Sequence, residues 1–336
     1  MHDVARHAGV SSMTVSRFVN GANVRADSKR KIEAALKELH YVPNLAARAA
    51  RSGSHRLGIL FNNPRSSNLG DFFMGAFRQA GEDGNQLLIE PVAGHADPID
   101  AVRKVLDAGV AGIILPPPLC DSLDALELVW QARVHALSFA TADPRSHSSA
   151  VLINDFEGAR AMTRALIQLG HKHIGFVRGD VTHSPALRRE EGFRAAMAEA
   201  GYSTRPDWIM SGDFSYRSGL EAATALLALE ERPTAIFASN DDMAAAVLAV
   251  ALGNGLSIPA DVSVAGFDDT PIASLMWPQL TTVHQPIAEM AAAAVGMLDR
   301  LIRDRRSEGL PPHEHLVVPY ELKLRESTGP APQKGR

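Results

Sequence analysis

From Arg56 onward, short β-branched or apolar runs alternate with stretches of helical periodicity, and this alternation constrains the fold of the 336-residue chain more than any other feature. The runs are Leu57–Phe61, Leu87–Glu90, Ile113–Leu115, Val134–Phe139, Ile174–Val177, Ala235–Ala238 and Val262–Phe267. Strands separated by helices call for parallel sheets with helices on both faces. About ten strands in roughly 270 residues exceed one comfortable doubly wound sheet. The segment Val151-Leu152-Ile153-Asn154 marks the point where a first unit yields to a second. Two lobes with a cleft between them follow, and in open α/β sheets ligands bind beyond the carboxyl ends of the strands.

The first fifty-odd residues keep a different rhythm. Val4, Ala5 and Ala8 form a short apolar face before Gly9, and Ser11 is placed to cap a second helix that runs to about Val19. Ile32, Ala35, Leu36 and Leu39 repeat at helical spacing and predict a third helix. Tyr41-Val42-Pro43-Asn44 breaks the pattern, an Ala/Arg stretch covers 45–51, and Ser52-Gly53-Ser54 reads as a joint. Residues 1–56 hold ten Lys/Arg against four Asp/Glu, and the rest of the chain holds 24 against 34, so a net charge of −4 hides a basic front end on an acidic body. That asymmetry suits a phosphate-binding module joined to a domain that does not bind DNA, although a solvated charged face has the same composition. No apolar run approaches the roughly 18 residues needed to cross a bilayer, and His2-Asp3 begins no signal pattern, so a cytoplasmic location without membrane partners is expected. Cys120 is the single cysteine and is expected to be a structural thiol.

The stretch Asp3-Val4-Ala5-Arg6-His7-Ala8-Gly9-Val10-Ser11-Ser12-Met13-Thr14-Val15-Ser16-Arg17-Phe18-Val19-Asn20 predicts two helices joined by a tight turn, a helix-turn-helix whose second helix can enter the major groove. On that helix Val15 and Phe18-Val19 face the core, and Ser12, Met13, Ser16 and Arg17 lie on the opposite side. With Tyr41-Val42-Pro43-Asn44 and Ala47-Arg48 following, the segment resembles the lactose-repressor (LacI/GalR) family of bacterial regulators, and the likeness extends over nearly the whole chain.

The resemblance implies an all-α helix-turn-helix headpiece over 1–41, a hinge helix and linker over 42–55, and a periplasmic-binding-protein-like core of two doubly wound parallel-sheet subdomains over 56–330. Its amino-terminal lobe spans about 56–153 and 286–315, its carboxy-terminal lobe about 154–285 and 316–328, and a flexible tail covers 329–336. It further implies a homodimer that binds pseudo-palindromic operator DNA under the control of a small-molecule effector, without cofactor, metal or catalysis. By resemblance, Ser12, Met13 and Arg17 read base edges, and Ser11, Thr14, Ser16 and Asn20 position the helix on phosphates. Asn44, Ala47, Arg48 and Ala50 belong to the hinge contacts. Two positions depart from the family. Arg25 stands where a Ser usually caps the third helix, which passes that role to Asp27 or Ser28. Ala50 stands where a Leu usually wedges into the minor groove, and a methyl group is too short to unstack a base step, so weaker kinking is expected.

For the effector, the resemblance points to Asn62 after the first strand, with Asn63 beside it and Phe72-Phe73 as an apolar wall, the binding role falling to Phe73. It also points to Arg189 in "ALRREEGF", Phe214 in "GDFSYRSG", Asn240 in "ASNDDMA", Asp268 in "AGFDD" and Gln285 in "LTTVHQP". A guanidinium is a rigid fork that can take two adjacent hydroxyls or a carboxylate. Asp268 can accept two ligand hydroxyls, and Asp269 is the expected cap of the turn that follows. Asn240 and Asp241 open a helix that either can cap, and Asn154-Asp155 inverts the family's usual order. This mix of hydrogen-bonding groups and aromatic rings suits a sugar or a sugar acid. A purine is the alternative, and Arg178 and Arg189 would tolerate an anion. A solute-binding protein for transport is the rival reading of the same body. His171-Lys172-His173 and His313-Glu314-His315 lack further ligands and read as structural or solvent-facing. No catalytic serine elbow, phosphate loop or dinucleotide fingerprint occurs.

Overall fold

The computed structural model describes residues 2–19, 24–38, 54–63, 66–144, 148–304 and 313–332. The chain divides into two compact units, Met1–His55 and Arg56–Arg336.

In the first unit α1 spans His2–Ala8, α2 Ser12–Val19 and α3 Ala26–Glu38. Gly9 sits at φ 64°, a left-handed conformation that only glycine adopts cheaply, and so reverses the chain between α1 and α2. The Ser11 hydroxyl accepts a hydrogen bond from the Thr14 amide at 3.1 Å, the N-cap that the sequence predicts. Val4, Ala5, Ala8, Val15, Ile32 and Ala35 form the core of the unit. Asp27 and Ser28 lie inside α3 rather than at its cap, because the helix already begins at Ala26. Asp27 instead reaches Lys31 one turn on, at 2.8 Å.

The second unit carries a six-stranded and a four-stranded sheet. The larger sheet uses β1 (Arg56–Phe61), β2 (Gln86–Pro91), β3 (Gly112–Leu115), β4 (His135–Phe139), β5 (Ser149–Leu152) and β11 (His315–Val317), in the order β11-β5-β4-β3-β1-β2. The smaller uses β6 (Ile174–Arg178), β7 (Ile209–Ser211), β8 (Ala235–Ala238) and β9 (Ser263–Ala265), in the order β7-β6-β8-β9. Every pairing within these two sheets is parallel, as crossover helices require. The helices of this unit are α4 (Leu69–Asp83), α5 (Pro98–Asp107), α6 (Leu123–Gln131), α7 (Asp155–Gln168), α8 (Ser184–Glu199), α9 (Tyr216–Leu227), α10 (Asp241–Gly253), α11 (Pro271–Leu275) and α12 (Ile287–Asp304), among the described residues. Between the lobes β10 (Thr282–His284) pairs antiparallel with β12 (Glu321–Lys323), making a two-stranded crossover.

Two boundaries differ from those drawn on sequence. The strand His315–Val317 pairs in register with Ala150–Leu152, so the amino-terminal lobe extends beyond 315. The tail is tied down through Ala331: Ser327 is fully buried, and the Ala331 amide donates to the Leu169 carbonyl at 2.8 Å. The anchor is His171, whose Nε2 lies 3.0 Å from the Gly329 carbonyl. No helix among the described residues is long and apolar enough to cross a membrane.

Candidate nucleic-acid interface and ligand cleft

On α2 the periodicity puts Val15 into the core, fully buried, and leaves Met13 74% exposed, with Arg17 exposed one turn later on the same face. Ser12 and Thr14 are half-buried, and the Thr14 and Ser11 hydroxyls lie 2.8 Å apart. Asn20, Asn44, Ala47, Arg48 and Ala50, with the side chain of Ser16, lie outside the described residues.

The second unit holds a cavity of about 410 Å³ whose wall draws on both lobes. From the amino-terminal lobe come Asn62, Asn63, Asn68, Phe72 and Phe139; from the other come Asp180, His183, Arg189, Phe214, Asn240 and Asp268, with Gln285 from the crossover. Six of the seven residues predicted for the effector therefore gather here. Phe73 does not line the cavity. Its neighbour Phe72 turns inward and meets Phe139 edge-on at 4.8 Å, whereas Phe73 stacks on Phe77 with ring centroids 5.7 Å apart. Successive helix positions differ by about 100°, so only one of the two can face the cleft.

Arg189 belongs to the polar wall, and α8 carries it inward so that only 5% of it is exposed. Its Nε donates to Asp155 at 2.8 Å, and its Nη1 donates to the Ser239 carbonyl at 2.6 Å and to Asp268 at 3.4 Å. The guanidinium also lies over the Phe267 ring, 3.7 Å from the centroid. Asp268 further accepts from Gln285 Nε2 at 2.5 Å and from Asn68 Nδ2 at 3.0 Å. Burial pushes the Asp268 carboxyl up to about 6, against the pull of Arg189 and the two amides, and burial likewise raises Asp155 above the usual carboxylate range despite Arg189. Asp268 at φ 115° and Phe214 at φ 67° hold backbone conformations that cost a non-glycine residue energy. Gly179 makes room for Phe214: a Cβ there would stand 2.1 Å from the ring.

Other predicted positions have different partners. Arg178 is not on the cavity wall; it pairs with Glu190 at 3.3 Å, because the strand end turns it toward α8. Arg188 is the solvated neighbour of Arg189 and pairs with Glu191. Asn240 lines the cavity, yet its Oδ1 caps α10 through the Met243 amide at 3.0 Å and its Nδ2 donates to the Phe214 carbonyl at 2.9 Å. Asn154 caps α7, accepting from the Glu157 amide at 3.0 Å, and this frees Asp155 to turn inward to Arg189. Asp269 caps no turn; it binds His284 at 3.0 Å and Arg325 at 2.6 Å, and Asp241 accepts from the Thr270 amide at 2.7 Å in that place. His173 packs against Trp208 with centroids 4.9 Å apart, and Glu314 pairs with Arg300. Burial lifts the Cys120 thiol well above its ordinary range.

Sequence reasoning missed Asn68, Asp180, His183 and Phe139. Asn68 precedes α4, Asp180 and His183 follow β6, and Phe139 ends β4; a position at or after the carboxyl end of a parallel strand was the signal for the last three. The lobes also touch directly. Ser67 Oγ donates to Asp242 at 2.8 Å, and on the other side the Ala142 amide donates to Ser184 Oγ at 2.9 Å. Burial keeps His183 below its ordinary value, so it faces the cleft as a neutral ring at pH 7.

The chain resembles known proteins over almost its full length. Residues 1–44 match the bacterial regulatory proteins of the lacI family, and residues 163–328 match a periplasmic binding protein-like domain. The HTH-type transcriptional repressor PurR of Pasteurella multocida is 30% identical over 336 residues, 96% of this chain and 98% of that protein. The protein of the same name from Photobacterium profundum is 32% identical over 312 residues, 91% of this chain and 92% of its own length. Among solved structures, the lac repressor dimer bound to operator and the anti-inducer ONPF superposes with a TM-score of 0.82 at 28% identity, covering 97% of this chain and 98% of that one. The transcriptional regulator CelR in complex with cellobiose superposes with a TM-score of 0.75 at 26% identity, with the same coverage.

Proposed function

This chain belongs to the LacI family of bacterial regulatory proteins, and from that membership we propose that its affinity for operator DNA is set by a small polar molecule held in the cleft. The cleft itself supports this reading best: a cavity of about 410 Å³ whose wall is shared between two lobes. A ligand that prefers one lobe arrangement shifts the population of lobe states, and the shift reaches the DNA-binding helices of a dimer through the hinge. The two-fold symmetry of the dimer calls for half-sites about one helical turn apart.

The effector is a neutral sugar. Asn62, Asn68 and Asp268 offer amide and carboxylate groups to hydroxyls, and Phe72 and Phe214 offer apolar faces to ring carbons. A sugar acid fits less well: among the described wall residues Arg189 is the one arginine or lysine, and Asp155 and Asp268 already engage it. The aromatic rings of the wall favour a second reading, a flat base such as a purine. Mobility-shift assays against the DNA upstream of the protein's own gene, repeated with neutral sugars, uronic acids and purines, test both. A ligand that changes operator affinity is expected from the first group. A protein that never prefers its own promoter over scrambled duplex refutes the regulatory reading, and a response to purines alone replaces the sugar.

A further inference from the structure

The operator-binding reading above leaves open which base groups α2 recognises, and one of its side chains limits the answer. Met13 is 74% exposed, the most exposed large apolar side chain of its unit among the described residues. Among the described side chains its helix offers it no apolar partner, since Val15 and Phe18 belong to the opposite face and pack with the core. The hydroxyl of Ser11 is already committed to Thr14, through both its amide and its side chain. Among the described residues, the long side chains that project from this face are therefore Met13 and Arg17.

These two ask for different chemistry. A guanidinium matches the O6 and N7 acceptors of guanine. A thioether carries no donor and is a weak acceptor, so it cannot read a hydrogen-bonding edge. The apolar group displayed on the floor of the major groove is the C5-methyl of thymine. Residues four apart on a helix lie about 5–6 Å from each other, and stacked bases lie about 3.4 Å apart, which puts the two contacts within about two base pairs. We propose that Met13 reads the 5-methyl group of a thymine in each operator half-site, next to the guanine contact of Arg17.

The test uses the full chain. A preferred duplex is selected from random sequence, and each thymine of the half-site is then replaced symmetrically by deoxyuridine, which removes the methyl and nothing else. Burial of one methyl group predicts a loss of about fourfold per half-site at a single thymine position. Met13→Ala keeps the helix, because alanine is its best former, and is expected to bind the thymine and deoxyuridine duplexes equally. Wild-type indifference to deoxyuridine at every position overturns the proposal, and so does an equal loss in Met13→Ala. Selection of no preferred sequence refutes the operator reading itself, an outcome distinct from loss of the methyl contact.

Discussion

Replacing Arg189 by methionine removes the cation that two buried carboxylates share. Asp155 is 4% exposed and Asp268 8%, so water can replace little of what the lost partner supplied. The guanidinium donates to Asp155 at 2.8 Å, to the Ser239 carbonyl at 2.6 Å and to Asp268 at 3.4 Å, and a thioether replaces none of these. Removing one partner of a buried ion pair costs about 3–5 kcal/mol, because the charge left behind is uncompensated. In a unit of this size, with an unfolding entropy of about 2.1 cal/mol/K per residue, that corresponds to a fall of roughly 5–9 °C in the thermal midpoint. Methionine fills a similar volume over the Phe267 ring, so the loss reports charge rather than a cavity. Denaturation of wild type and Arg189→Met at pH 7.5 measures it, and Arg189→Met combined with Asp155→Asn should recover part of it. A loss below about 1 kcal/mol, the range of exposed ion pairs, would refute a buried triad and make Arg189 a solvent-screened side chain.

The raised Asp268 pKa has a definite sign. With a folded value of about 6 against about 3.9 unfolded, the folded state holds the proton more tightly, so ionising Asp268 costs stability as pH rises from about 4 to about 6, with the full cost above that. The stability of wild type relative to Asp268→Asn should therefore fall across that window and then level, and a flat difference between the two titrations contradicts it. His171 behaves in the opposite direction. It is fully buried, and burial holds its pKa below 6.5, so its contribution is complete above about pH 6.5 and declines in acid; the advantage of wild type over His171→Gln should shrink below pH 6, as chemical denaturation would register. Ser67→Ala deletes an interlobe hydrogen bond to Asp242 and should weaken effector binding about fivefold, the equivalent of about 1 kcal/mol, with little change in melting. Calorimetric titration that finds unchanged affinity would show that this contact does not hold the cleft closed.

The alternation of apolar runs with helical stretches was enough to determine two parallel sheets, since strands such as Ile113–Leu115 and Ala235–Ala238 have no other way to bury both faces. Gly9 and Ser11 likewise determined the first turn and its cap, because a left-handed φ and an N-cap are demands met within a few residues. Arg189, Asp268 and Gln285 could be marked as cleft residues because the short motifs that carry them resemble those of the LacI family. The choice between Phe72 and Phe73, however, depends on a rotation of α4 that either residue would satisfy locally. The charge state of the cleft depends on pairings that run across the fold: Arg189 finds Asp268 79 residues away, and Asn68 finds it 200 residues away. Local pattern determines what each segment becomes, because backbone hydrogen bonds and apolar periodicity act over a few residues. Which polar group neutralises which was decided by tertiary structure alone, since desolvation forces buried charges to find partners wherever the packed chain brings them together.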